Sequence, residues 1–193
     1  MKKYTLIIAL FAVLMIVGCS SNDPEDTAQE ILEGDNPKVQ IEMEDGGKMV
    51  LELYPAHAPK TVENFLELAL SGFYDGLTFH RIIEGFMIQG GDPNGDGTGG
   101  AQRTITGEFA DNGFTQNTLN HTKGVISMAR SHDPNSASSQ FFIVHGDEVP
   151  HLDGGYAAFG KLIEGEETLD NIAGTKADQN DVVIKSITVL KNN

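Results

Sequence analysis

Residues 79–92 read F-H-R-I-I-E-G-F-M-I-Q-G-G-D and set one arginine, Arg81, and one glutamine, Gln89, among bulky apolar side chains. A second stretch, residues 138–144 (S-S-Q-F-F-I-V), adds Gln140 beside Phe141 and Phe142. An apolar pocket with a few aimed hydrogen-bond donors is what a site needs to hold a small apolar group and act on a neighbouring amide. A proline ring fits that description. Turning the amide in front of it requires no nucleophile, metal or cofactor, only a fixed donor that favours the twisted amide over either planar form.

Other chemistries lack their parts. Residues 92–97 (D-P-N-G-D-G) match the first half of a calcium loop, but Arg103 stands at the twelfth position, where a bidentate carboxylate is required. The glycine-rich run is therefore read as a flexible wall of a substrate groove. The six histidines form no H-x-x-x-H pair and have no cysteine beside them, so no metal site is expected. No G-x-S-x-G elbow accompanies the serines, and a nucleophile, base and oxyanion donors cannot be assembled from the sequence.

The two stretches above, together with G-V-I-S-M-A-R at 124–130 and H-L-D-G-G-Y-A-A-F-G at 151–160, resemble the cyclophilin family of peptidyl-prolyl isomerases. Four separate motifs occur in the family's order and roughly its spacing, and the likeness spans about residues 39–190. The resemblance implies an eight-stranded antiparallel β-barrel, closed and capped by two α-helices, that accelerates cis/trans exchange at X-Pro bonds without a cofactor. It makes Arg81 the donor to the prolyl nitrogen, with Gln89 and Gln140 holding the substrate backbone or bracing the arginine. Phe86, Met87, Phe142 and Leu152 match positions that line the proline pocket, and His80 and Ala129 match its walls. Three positions depart from the common pattern. His151 stands where many eukaryotic members carry tryptophan, which implies weak cyclosporin binding. Tyr156 replaces a frequent histidine, and Arg130 a frequent asparagine. A noncatalytic proline-peptide binder, or a holdase chaperone, is the alternative that the same groove allows.

The elements that must position these residues are legible in outline. Alternation at 39–43 and 49–54 around E-D-G-G reads as a β-hairpin. Val62, Phe65, Leu66 and Ala69 recur at helical spacing between Pro59 and Gly72, which predicts a helix over 59–70. Short β-type runs follow at 78–83, 86–89, 124–129, 140–144 and 157–163. A second helix is expected over 166–173 and a last strand over 182–190. Many short strands with two helices suggest a mainly β, closed antiparallel barrel.

The chain of 193 residues is long enough for one domain with a full core. Its formal charge of −15 argues against a nucleic-acid partner, because phosphate binding needs clustered Lys and Arg. Residues 1–18 carry Lys2 and Lys3 ahead of an apolar run too short to span a bilayer, and they read as a secretory signal. The run ends in I-V-G-C, which resembles the cleavage box of bacterial lipoproteins, with the chain's one cysteine, Cys19, as the lipidated residue. Lipid attachment would anchor the protein to the extracytoplasmic face of a bacterial membrane. Residues 19–37 are acidic and poor in apolar side chains and are expected to be a flexible tether, with residues 38–193 as the isomerase domain. A monomer is expected, with proline-containing polypeptides as partners.

Overall fold

The computed structural model describes residues 23–175 and 179–190. The signal segment and Cys19 lie outside them. Eight antiparallel strands form one sheet: β1 (Lys38–Met43), β2 (Lys48–Leu53), β3 (Arg81–Ile83), β4 (Met87–Gly90), β5 (Val125–Met128), β6 (Phe141–Val144), β7 (Ala158–Glu164) and β8 (Ile184–Leu190). Their spatial order is β3-β4-β6-β5-β7-β2-β1-β8. The predicted hairpin is β1–β2, with Val39 opposite Leu51 and Ile41 opposite Met49. Its turn is closed by the Asp45 carboxylate, which accepts the Gly47 N–H at 2.9 Å, and by Gly46 at φ +90°, a conformation that a Cβ disfavours.

The sheet curls into a half-barrel and does not close, which corrects the expected closed barrel. β3 and β8 are its two edges. The chain leading into β3 meets the start of β8: Thr78 bridges Val183, Phe79 donates its N–H to the Val182 carbonyl at 3.0 Å, and Ile184 accepts the Gly76 N–H and donates its own to the Leu77 carbonyl, both at 2.8 Å. The physical cause is the brevity of β3. Its three residues are spent on pairing with β4, and the irregular segment before it bonds to β8 only at Ile184, the first residue of that strand, and to the two residues ahead of it, without forming a ladder.

Among the described residues three α-helices, not two, pack on the curl: α1 (Pro24–Leu32), α2 (Pro59–Leu70) and α3 (Glu166–Ala173). The first lies inside the segment expected to be a flexible tether, and that expectation fails over these nine residues. Asp23 caps the helix by accepting the Glu25 N–H at 3.1 Å, and Pro24 opens it. Spacing of i, i+3 and i+4 then sets Ala28, Ile31 and Leu32 on one face, where Ala28 is fully buried and the other two pack against the core. Gln29 donates to Glu63 of α2 at 3.1 Å.

Helix α2 buries Val62, Phe65, Leu66 and Ala69, and Phe65 meets Tyr74, Phe141 and Phe159 with ring centroids 5.1, 5.5 and 5.2 Å away. Its N-terminal residue Ala58 offers no side-chain cap. Buried Glu108 supplies one from a distance, accepting the N–H groups of Lys60 and Thr61 at 3.0 and 2.8 Å and the Thr61 hydroxyl at 2.7 Å. Backbone donors that a helix leaves open at its start are thus satisfied, and a negative charge sits where the helix dipole favours it.

Strand alternation then builds two apolar layers. Residues opposite each other in register share a face of the sheet. Ile88, Ile143 and Ile126 form one row and point into the main core beneath the helices. The next row, Arg81, Gln89, Phe142 and Ser127, points to the other face, where Met87, Val125, Phe142, Val144 and Leu152 form a second, smaller cluster. A one-residue slip would exchange the rows. The candidate site is built on the second.

Candidate active site

The β3–β4 hairpin brings Arg81 opposite Gln89, and β4 pairs Gln89 with Phe142 of β6. Three segments distant in sequence thereby place their side chains in one line across the sheet. Its tip carries Phe86, held by two bonds to its carbonyl from the N–H groups of His145 and Gly146, at 2.9 and 3.2 Å. Gly85, at φ +74°, makes the turn, and its N–H is accepted by His145 Nδ1 at 2.9 Å.

A cavity of about 180 Å³ opens on this face. Its floor and sides are Met87, Phe142 and Leu152, all buried, with Phe86, Ala129 and Tyr156 around them. Arg81, Gln89 and Arg130 supply the polar rim. Nine residues predicted from sequence therefore line a single small hollow that has two arginines and no carboxylate among its lining residues. An apolar cup of that size with a few directed donors suits a group no larger than a five-membered ring and its amide.

A chain of hydrogen bonds fixes the rim. Arg81 Nη1 donates to Gln89 Oε1 at 3.2 Å, Gln89 Nε2 donates to Gln140 Oε1 at 2.8 Å, and Gln140 Nε2 donates to the Gly97 and Gly99 carbonyls at 3.1 and 2.7 Å. Arg81 is otherwise exposed, with its guanidinium carbon 5.8 Å from the Phe86 ring centre. Gln140 lines an adjoining cavity of about 370 Å³, walled by the Gly97–Ala101 loop and shared with Gln89, Ala129 and Arg130. His151 stacks on Phe86, with centroids 5.7 Å apart.

The glycine-rich loop is closed from within. The buried Asp92 carboxylate accepts N–H groups from Asn94, Asp96 and Gly97 at 2.8, 3.1 and 2.5 Å. The carboxylate that suggested half a calcium loop is thereby committed to backbone. Gln140 ties the same loop to the site.

Arg130 is clamped rather than free. Its guanidinium lies 5.0 and 4.7 Å from the ring centres of Phe109 and Tyr156. Nε and Nη2 donate to the Gly155 carbonyl at 3.0 and 2.8 Å, and Nη1 donates to that of Ser131 at 2.9 Å. His80 lines neither cavity. Burial lowers its pKa below the ordinary histidine value, with nearby Asp92 and Asp96 pulling the other way and Arg81 adding to the lowering. Phe109, His121 and Asp153 stand outside the set of residues expected from the sequence. The first has only its aromatic type to mark it, and the other two act through bonds between remote segments.

The family described as cyclophilin-type peptidyl-prolyl cis-trans isomerase matches residues 38–193. The chain is 50% identical over 131 residues to peptidyl-prolyl cis-trans isomerase B of Bacillus subtilis, covering 68% of this chain and 87% of that protein. It is 43% identical over 154 residues to human peptidyl-prolyl cis-trans isomerase-like 3, covering 77% and 93%. Among solved structures, a Cryptosporidium parvum cyclophilin-type isomerase superposes with a TM-score of 0.70 at 37% identity, over 82% of this chain and 99% of that one. The same enzyme in the presence of the dipeptide Ala-Pro gives a TM-score of 0.69 at 38% identity, covering 80% and 99%. With the family match spanning the whole sheet and the site it carries, this chain belongs to the cyclophilin-type peptidyl-prolyl cis-trans isomerases.

Proposed function

We propose that the protein accelerates rotation of X-Pro bonds in exported or membrane-proximal polypeptides, with the proline ring seated in the 180 Å³ cavity. The observation that carries this reading is the convergence of Met87, Phe142 and Leu152 with Arg81 and Gln89 on one hollow. In the planar amide the nitrogen lone pair is delocalised, which underlies a barrier of about 18–20 kcal/mol. As the bond twists, the lone pair returns to the prolyl nitrogen and can accept a hydrogen bond that the ground state cannot. Arg81 offers that bond from a permanently charged fork, and the Gln89–Gln140 chain limits its wandering. The apolar cup holds the ring while the preceding carbonyl swings past it. Gln89 and Gln140 also offer amide groups to the substrate backbone, Ala129, Arg130 and Tyr156 form the outer walls, and His151, which lines neither cavity, backs Phe86 by stacking on it.

Magnetisation-transfer NMR on an X-Pro peptide tests this directly. The domain beginning at Ser20 should speed exchange, and Arg81→Ala should slow the catalysed rate by about 10²- to 10³-fold, the usual loss for a transition-state donor. Peptide binding without faster exchange would replace the enzyme reading with a noncatalytic binder or holdase. Unchanged activity in Arg81→Ala would remove the role assigned to that arginine.

We also propose that Cys19 is lipidated and holds the domain at the extracytoplasmic face of a bacterial membrane. The lone cysteine at the end of an apolar leader supports it. In bacterial cells the native protein should sediment with membranes and carry acyl mass on its N-terminal peptide, and Cys19→Ser should release it. A soluble wild type without acyl mass would reject the anchor.

A further inference from the structure

Behind the pocket, and not facing it, His121 lies between an acid and an alcohol. Its Nδ1 is 2.9 Å from Asp153 Oδ1 and its Nε2 is 3.0 Å from Ser127 Oγ. The order acid, imidazole, hydroxyl is that of a nucleophilic triad. Ser127 is fully buried in β5, however, so no substrate can reach it, and the constellation has no hydrolytic use here.

Its connections suggest another use. The His121 backbone N–H also donates to Asp153 Oδ1, at 2.7 Å, and its carbonyl accepts the Val149 N–H at 2.8 Å. Asp153 ends the 3-10 turn Pro150–Leu152, which carries two predicted site residues, His151 and Leu152. The imidazole lies nearly parallel to the Phe142 ring, with centroids 5.9 Å apart and planes 18° from parallel. Phe142 in turn meets Tyr156 edge-on, at 5.8 Å. One buried side chain thus joins β5, the turn bearing Leu152, and the back of the aromatic wall.

We infer that His121 is a positioning residue for isomerisation, holding Phe142 and the Leu152 turn in the arrangement that shapes the proline cavity. A carboxylate can only accept, so Nδ1 carries the proton and Nε2 accepts the Ser127 hydroxyl proton. That leaves each of the three groups satisfied while the ring is neutral. Burial favours the neutral form and holds His121 below the ordinary histidine range, against the opposite pull of Asp153. Were the ring to gain a second proton, Ser127 would lose its acceptor and the ring its fixed tilt.

The inference rests on Phe142 being a wall of the working site, so the test separates the two. Asp153 is only partly buried and can be changed without opening the core. In the soluble domain, kcat/KM for an Ala-Pro peptide is measured well below the unfolding midpoint, beside the NMR signals of the Phe142 ring. Asp153→Asn keeps an acceptor for both His121 N–H groups and should retain activity and ring signals. Asp153→Ala should shift the ring signals and lower kcat/KM by between about tenfold and a hundredfold, the range for a misplaced reacting geometry. Should that variant not fold, Asp153→Ser keeps an acceptor for the backbone N–H but is too short to hold the ring, and should fall the same way. A lowered melting point with unchanged kcat/KM and ring signals would overturn the inference and leave His121 a purely structural residue. Phe142→Ala is the control: if it retains full activity, the cavity reading fails and the inference falls with it. If it is inactive while Asp153→Ala is normal, the positioning claim alone is rejected.

Discussion

Arg81 reaches solvent with its Nη1 held by two side-chain acceptors, Gln89 Oε1 at 3.2 Å and, more weakly, Met87 Sδ at 3.7 Å. A bond to a charged group contributes about 1.5–3 kcal/mol, and part of that is at stake when the brace is cut. Gln89→Ala is therefore expected to lower the catalysed exchange rate about tenfold, equivalent to about 1.4 kcal/mol, with little change in unfolding midpoint. Wild-type exchange in that variant would show that Arg81 needs no brace. The motif residues were legible because each stands in a short run whose apolar neighbours mark a pocket: F-H-R-I-I, G-F-M-I-Q-G-G and S-S-Q-F-F. His80 shares such a run yet lies outside both cavities, in the irregular segment just before β3 begins at Arg81. The His121–Ser127–Asp153 set was not legible. Its bonds join positions 6 and 32 residues apart through a sheet register that no local pattern encodes.

Elements were recognisable where periodicity and punctuation agreed. Helix α2 follows the predicted bounds because Pro59 opens it, a clean apolar stripe runs its length, and Gly72 follows its end at φ +70°. Helix α1 escaped notice because its apolar face is only Ala28, Ile31 and Leu32 within an acidic segment, and what stabilises it is contact with α2, invisible at the level of composition. The expected barrel failed for a similar reason: eight strands can be counted in a sequence, but whether the first and last edges meet depends on strand length and curl. The cap on α2 gives the prediction at this scale. Glu108→Ala strips partners from the Lys60 and Thr61 N–H groups in a largely dry setting, where each orphaned group costs about 1–3 kcal/mol. A loss of about 3 kcal/mol in urea unfolding is expected. A loss below about 0.5 kcal/mol would mean that water replaces the carboxylate freely.

For the molecule as a whole, two half-buried or buried histidines set a pH dependence of stability. Burial lowers the pKa of both His121 and His80 below their ordinary 6.5. The unfolded chain then binds more protons than the folded one just below pH 6.5, so stability rises with pH there. Their contribution is complete above about pH 6.5 and fades as pH falls through the folded values. Exposed carboxylates add to the loss further down: Glu42, bonded to Lys185, Asp96, bonded to Thr98, and Asp170, bonded to Lys123, all titrate below their ordinary range. The melting temperature should accordingly fall between pH 7 and pH 5, before those carboxylates protonate. A flat profile across that interval would place both rings in water. The pairing of β1 with β8, Val39 opposite Val189 and Ile41 opposite Ile187, bears on something else, the moment at which the protein can fold at all. The strand nearest the start of the described sheet waits for the one nearest its end, so a chain still held on the ribosome lacks the partner that covers β1. Folding becomes an event of completed synthesis, because the sheet cannot be assembled until its last strand is available.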